Sequence, residues 1–408
     1  MYSKNTNFAL SYVPLSSARV LWESRPLSLR CDKHVRDLEA QRIYISCCPG
    51  SIVLQFHIPH QPAWNRISSS LSKTSSPHFK DSITFKEPLT IEEPPSNMFS
   101  FLHPKSFNPK TDIPSLDGKV ILVTGANAGL GKQCVLEYSR HQPKQIWLAA
   151  RNLKKAQTAV GEIKKLVPDA PIKLLELDLS SFESIKKAAR AFLSESDRLD
   201  ILMCNAGIMA VPPGQTKDGY EIQFGTNHLG HALLTKLLLP ALEATAKLPG
   251  ADVRVISVSS FGHTNWPKGG FRFDLLKSSA PDLGSYKCYF QSKLANALWA
   301  RQLAKEYPQF GVAAIHPGLV QTSLMDRATA TPWIVRTLTN LAYPLLPSVS
   351  DGARNQLWAS VSNEVRGKPG EYWVPVGVLD GASDDAKDDD LAKVLWDWTE
   401  KELKDISL

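Results

Sequence analysis

From Lys119 onward the chain alternates short apolar runs with amphipathic segments, and this alternation constrains the fold more than any other feature. KVILVTG leads into a helical pattern ending near His141, followed by QIWLAA, a helix over LKKAQTAVGEIKKLV, IKLLELD, a helix near ESIKKAARAFL, and DILMCN. A long helical stretch around 219 to 247, then VRVISVSS, a helix carrying Tyr286 and Tyr289, and VAAIHPG complete the series. Strands that are apolar throughout need cover on both faces, so their alternation with helices implies a parallel sheet between two helical layers. The expected architecture is a doubly wound α/β domain of Rossmann type with about seven strands and no internal repeat.

The first strand runs into Thr124-Gly125-Ala126-Asn127-Ala128-Gly129-Leu130-Gly131 and then a helix. Glycines spaced G-x-x-x-G-x-G let the backbone turn tightly and approach a pyrophosphate, whose charge is met by amides at the helix N-terminus. Strand before and helix after make this a dinucleotide loop rather than a structural turn. The second strand ends in Arg151-Asn152, where an NAD enzyme usually places a carboxylate for the ribose 2′-hydroxyl. Arg151 suits a 2′-phosphate instead, so NADP(H) is expected over NAD(H). Asp178, ending the third strand, could accept from the adenine amino group or cap the next helix.

The stretch SYKCYFQSKLAN holds two tyrosines upstream of one lysine. On a helix Tyr289 and Lys293 stand at i, i+4 and leave the same face about 6 Å apart, whereas Tyr286 lies roughly 10 Å away along the axis. Only Tyr289 is placed to be acted on by the ammonium. Ser257, Ser259 and Ser260 compete for the end of VRVISVSS, and strand alternation does not choose among them. Asn227 reads as a functional or a packing amide, and His316 as a packed strand-end histidine. ASDDAKDDD reads as a solvated loop whose aspartates favour the N-terminus of a last helix. No metal constellation stands out.

Composition narrows the function classes. The 408 residues, 43% of them hydrophobic, fit one large domain or two. A net charge of +7 without a dense Lys/Arg run argues against a nucleic-acid partner. Cys31, Cys47, Cys48, Cys134, Cys204 and Cys288 show no C-x-x-C pairing, which suits free thiols in a reducing, cytoplasmic setting. No stretch reaches the roughly 18 consecutive apolar residues of a membrane helix. Up to about Asn97 the chain is rich in Ser and Pro without period, and reads as a disordered extension. Its Ser- and Arg-bearing start also suits an organellar transit peptide. A true start at Met98 is favoured, because the ordered pattern begins soon after it and the domain then spans 98–408.

Taken together these residues resemble the short-chain dehydrogenase/reductase family over about 115 to 380. TGANAGLG matches its cofactor loop, and Cys204-Asn205-Ala206-Gly207 its Asn-Asn-Ala-Gly segment. Asn227, Ser260 and Tyr289-x-x-x-Lys293 match its catalytic set, and His316-Pro-Gly-Leu-Val320-Gln-Thr322 the loop at the nicotinamide carboxamide. NHLGH, QSKLAN and the long insert between Ser260 and Tyr289 resemble its retinol-dehydrogenase-like and fungal members. Cys204 replaces the first asparagine, and Ala128 stands where some NADP enzymes carry a basic residue, which leaves coenzyme choice to Arg151.

The resemblance implies that Thr124, Gly125, Asn127, Gly129, Leu130, Gly131, Arg151, Asp178, Asn205, Ala206, Gly207, Pro317, Gly318, Val320 and Thr322 bind the nucleotide with Tyr289 and Lys293. It also implies that Tyr289 is the general acid and base, that Ser260 bonds the same substrate oxygen, and that Asn227 holds a water linking Lys293 to solvent. Lys293, with the charge of oxidised nicotinamide, would lower the phenol's pKa from its free value near 10. The segment from Ser323 to about Val349, with Trp333, Ile334, Leu338, Leu341, Tyr343 and Leu345, looks like a substrate lid. Its apolar content suggests a hydrophobic ketone, aldehyde or secondary alcohol. A non-catalytic NADP-binding redox regulator and a sugar epimerase are the alternatives, and a homo-oligomer is left open.

Overall fold

The computed structural model describes residues 43–48, 51–56, 105–266, 271–318, 320, 346–379 and 381–408. Backbone contacts divide the chain into Met1–Ile91 and Glu92–Leu408. In the first unit, β1 (Ile43–Cys48) pairs antiparallel with β2 (Ser51–Phe56). The sequence pattern predicted no regular structure there. The overlooked signal is Pro49-Gly50 between two short apolar runs, a dipeptide that marks turns.

In the second unit seven strands form one parallel sheet in the order β5-β4-β3-β6-β7-β8-β9. They are β3 (Val120–Thr124), β4 (Gln145–Ala150), β5 (Ile172–Glu176), β6 (Ile201–Cys204), β7 (Arg254–Val258), β8 (Gly311–Ile315) and β9 (Tyr372–Trp373). The first six follow the apolar runs of the sequence. With only two residues, β9 is too short to show a period of two.

Burial explains the strand composition. Val120 and Leu122 enter one core, with α3 (Phe182–Leu193), α4 (Gly230–Ala246), α5 (Ser285–Glu306) and α7 (Asp389–Glu402). Ile121 and Val123 enter the other, with α1 (Gly129–Ser139), α2 (Leu153–Leu166) and α6 (Val349–Val361). Successive side chains leave opposite faces of a strand, so both sets of positions must be apolar.

After β5 the chain crosses back to lay β6 beside β3. The order reverses at that point, and in such sheets the crevice at the strand C-termini is where ligands bind. The opposite end is closed by Asp200, fully buried, which accepts from Val120 N at 2.8 Å and pairs with Arg198 at 2.8 Å.

One expected helix is interrupted. The stretch 219 to 247 holds a short turn at Ile222–Phe224, a π-helical turn at Gly225–Leu229, and only then α4. Such π turns are uncommon and cluster at functional sites. This one contains Asn227. The lid expected over 323–349 lies outside the described residues up to 345, and so does Thr322. Among the described residues, no helix is long and apolar enough to cross a membrane.

Candidate active site

The site gathers at the C-terminal ends of β3, β6, β7 and β8. At the end of β3, Gly125 has φ +65°, and a Cβ there would meet Ala206 Cα at 2.9 Å. Gly131 is tighter, since its Cβ would sit 2.5 Å from Asn205 Nδ2 and 2.9 Å from Gly125 O. Gly129, at φ +54°, opens α1. Before it stands Ala128, with no side-chain cap and no acidic residue in the first turn. The free amides of such a terminus suit an anion, and the glycines let it come close, so the loop fits a pyrophosphate.

Asn205 locks this loop from below. Its Nδ2 donates to Thr124 O at 2.8 Å, its Oδ1 accepts from Gln356 Nε2 at 2.9 Å, and its own N–H donates to Thr124 Oγ1 at 2.9 Å. Ala206 N donates to the same hydroxyl at 2.9 Å. Asn205 therefore braces the loop, while Ala206 and Gly207 form the floor.

Asn127 and Arg151 line a pocket of about 260 Å³ together with Asn152 and Lys155. Asn152 caps α2, accepting from Lys155 N at 2.9 Å. Lys155 was not singled out by sequence, although its place one helical turn beyond Arg151 could have shown it. Asp178 is not the cap of α3, a role that Ser181 fills. Asp178 Oδ1 instead accepts from Ser180 Oγ at 2.6 Å, which shapes the turn below the sheet edge.

Along α5, Tyr289 and Lys293 are both buried, and the ammonium lies 5.8 Å from the phenol ring centre. Tyr286 packs its ring against Phe290. The three serines separate by direction: Ser257 Oγ donates to Asn296 O and Ser259 Oγ to Lys293 O, both pinning α5, whereas Ser260 Oγ accepts from Gly262 N at 3.1 Å, capping the next turn, and acts on the Tyr289 phenol. Lys293 Nζ donates to Val258 O at 2.9 Å. Gly207 faces this group, since a Cβ on it would be 3.4 Å from both Lys293 Nζ and Asn227 Oδ1.

Burial sets the electrostatics. It pushes the Tyr289 phenol up to about 12, with the Ser260 hydrogen bond pulling the other way. It draws Lys293 down to about 8. The lowered phenol expected from the lysine is thus not produced by the protein's own groups, because desolvation by burial is the largest influence on the phenol. His316, pulled down to about 4 by burial and then by His263, accepts from Phe261 N, as a packed strand-end histidine would.

Asn227 is fully buried with its amide committed. Oδ1 accepts from Ile208 N at 2.8 Å, and Nδ2 donates to Ile208 O and to Ser292 Oγ, each at 2.9 Å. A water held by Asn227 would therefore share its main-chain carbonyl with His231 Nδ1, 2.8 Å away. Pro317, Gly318 (φ +89°) and Val320 follow β8, and this loop is tied by Asn355, whose Nδ2 donates to His316 O at 2.8 Å and to Trp373 O at 3.0 Å. Leu130 and Val320 both meet α6 at Gly352. Asn355 and Gln356 had no sequence signal, being polar residues inside an ordinary helical stretch.

The family model described as short chain dehydrogenase matches residues 119–269. A short-chain dehydrogenase/reductase of Aspergillus calidoustus is 39% identical over 306 residues, covering 72% of this chain and 96% of that protein. The chain belongs to the short-chain dehydrogenase/reductase family. Human retinol dehydrogenase 13 is 35% identical over 288 residues, 69% of this chain and 83% of that one, which makes this a retinol-dehydrogenase-like member. A crystal structure of an uncharacterized protein from Mycobacterium paratuberculosis aligns with a TM-score of 0.56 at 30% identity, covering 72% of this chain and 97% of that one. As a short-chain dehydrogenase/reductase the protein is an oxidoreductase that uses a nicotinamide cofactor.

Proposed function

We propose that this short-chain dehydrogenase/reductase uses NADP(H) to interconvert a hydrophobic ketone or aldehyde and its alcohol. The carrying observation is the convergence of Tyr289, Ser260 and Lys293 beside Gly207, at the end of a glycine loop that admits a pyrophosphate. Arg151 and Lys155, both in the pocket with Asn127, supply two positive charges for a 2′-phosphate. That pair supports NADP(H) over NAD(H).

When bound, the nicotinamide supplies or accepts the hydride. Tyr289 holds its proton at Oη across the neutral range, because burial keeps the phenol high, and gives it to the carbonyl oxygen during reduction. Ser260 Oγ donates a hydrogen bond to that oxygen as charge develops on it. Lys293, fixed on Val258 O, keeps a positive charge beside the phenol and favours the phenolate left after proton transfer. For oxidation the same groups act in reverse, with Tyr289 taking the alcohol proton. The retinol dehydrogenases among the relatives make an apolar aldehyde such as all-trans-retinal a fitting first substrate.

The test is oxidation of NADPH and NADH with nonanal and all-trans-retinal, run beside Tyr289→Phe. Turnover that is lost in the variant and stronger with NADPH supports the reading. Equal turnover in wild type and variant removes Tyr289 as the acid, and a preference for NADH removes the role given to Arg151 and Lys155.

A further inference from the structure

His231 lies in the first turn of α4 and takes part in none of the chemistry above, yet its ring touches both halves of the site. Nδ1 is 2.8 Å from Asn227 O, and Nε2 is 2.9 Å from Thr124 Oγ1. The ring is 3% exposed, so neither nitrogen has water as an alternative partner.

Donor and acceptor counting fixes the proton. Asn227 O is a carbonyl and can only accept, so Nδ1 carries the hydrogen. Burial, and secondarily the charge of Lys293, pull the imidazole down to about 4 against the opposing bond to Asn227, so it is neutral and Nε2 accepts. The Thr124 hydroxyl already accepts from Asn205 N and Ala206 N. Its single hydrogen has two acceptors within reach, His231 Nε2 at 2.9 Å and Met203 O at 3.3 Å, and the shorter contact prevails.

The bonds join end to end. The amides of Asn205, which braces the glycine loop, and of Ala206, in the floor, donate to Thr124; Thr124 donates to His231; His231 donates to Asn227 O. The Asn227 side chain continues to Ser292 Oγ, which donates to Tyr289 O at 2.7 Å. We infer that His231 is a positioning residue that holds the nucleotide floor in register with the π turn bearing Asn227, and through that turn with Tyr289 on α5, by way of one neutral imidazole. The inference rests on the proposed NADP(H)-dependent reduction, and specifies which internal bonds align its two halves.

Two substitutions separate the two bonds. In His231→Asn the side-chain amide reaches only as far as Nδ1 and keeps a donor for Asn227 O, while the partner of Thr124 is lost. In His231→Gln the longer amide reaches the Nε2 position and keeps an acceptor for Thr124, while Asn227 O loses its donor. A buried polar group left without its partner changes an equilibrium or rate by about tenfold. His231→Asn is expected to weaken NADPH binding about tenfold while kcat for nonanal falls no more than about threefold. His231→Gln should show the opposite split, and His231→Leu should lose both. KM for nonanal should move less than about twofold in all three, because the ring touches no substrate.

Losses of affinity and kcat in parallel in the Asn and Gln variants, or wild-type values in both, overturn the assignment. Should wild-type protein bind no NADPH, the reading of function falls instead. Hydrogen exchange at the Asn205 and Ala206 amides then decides the inference without nucleotide. Faster exchange in His231→Asn than in His231→Gln supports it, and equal exchange overturns it.

Discussion

At the Tyr289 end of the candidate site, Thr124, Asn227, His231 and Lys293 are buried and hydrogen-bonded to one another or to neighbouring backbone. At the other end, Arg151, Asn152 and Lys155 are exposed, and order comes from one helix cap. The first arrangement makes position hard to change, because any shift strands a buried polar group. The second supplies charge that water and salt screen. On the proposed function, geometry for proton transfer would thus be kept where solvent is excluded, and coenzyme choice would sit where side chains are exposed.

The largest expected effect tests the buried end. Tyr289→Phe should lower kcat at least about 100-fold, with NADPH affinity within about threefold of wild type, as measured by steady-state turnover and fluorescence titration. A variant with more than a tenth of the wild-type rate would break the contrast. Next is Gly131→Ala, whose Cβ would be driven against Asn205 Nδ2. Overpacking of a fixed neighbour should weaken NADPH binding by about tenfold or more, while circular dichroism shows the fold retained.

The pH profile gives a smaller effect with a defined sign. Lys293 is drawn down to about 8 and Tyr289 pushed up to about 12, so between these values the lysine loses its proton first. Reduction should decline as pH rises through about 8, and Lys293→Arg should move that limb upward. In stability terms the depressed lysine is a cost fully present below about 8, and relieved as pH rises toward its ordinary value of 10.5. Smallest are Arg151→Ala and Lys155→Ala. Exposed charges contribute about 0.2–1 kcal/mol each, so each should weaken NADPH severalfold, less so at high salt, with NADH little affected. Equal loss for both coenzymes would show that the pocket does not read the 2′-phosphate.

The two ends also differ in how far the sequence discloses them. The glycine spacing, Arg151 and the i, i+4 placement of Tyr289 and Lys293 are local patterns, and local patterns survive in a linear string. Six strands of the sheet were legible for the same reason, through runs such as KVILVTG and VRVISVSS. The π turn around Asn227 was not, because GTNHL carries no propensity that separates it from α-helix. Neither were Asn355 and Gln356, whose partners His316 and Asn205 lie far away along the chain. Ser260 could be told from Ser257 and Ser259 only by resemblance. In the structure Ser257 and Ser259 donate their hydroxyls to α5, whereas the Ser260 hydroxyl accepts from Gly262 N.

The amide of Asn227 clasps Ile208 through both its N–H and its C=O and reaches Ser292, so three segments distant in sequence meet at one side chain. Such a clasp has no partial form: it needs the loop after β6, the π turn and α5 all docked. Assembly of the site is thereby tied to late, non-local steps of folding rather than to any single helix. In native-state hydrogen exchange the Ile208 amide should open only with the whole domain. It would then serve as a reporter of global unfolding from within a loop, where exchange is ordinarily fast.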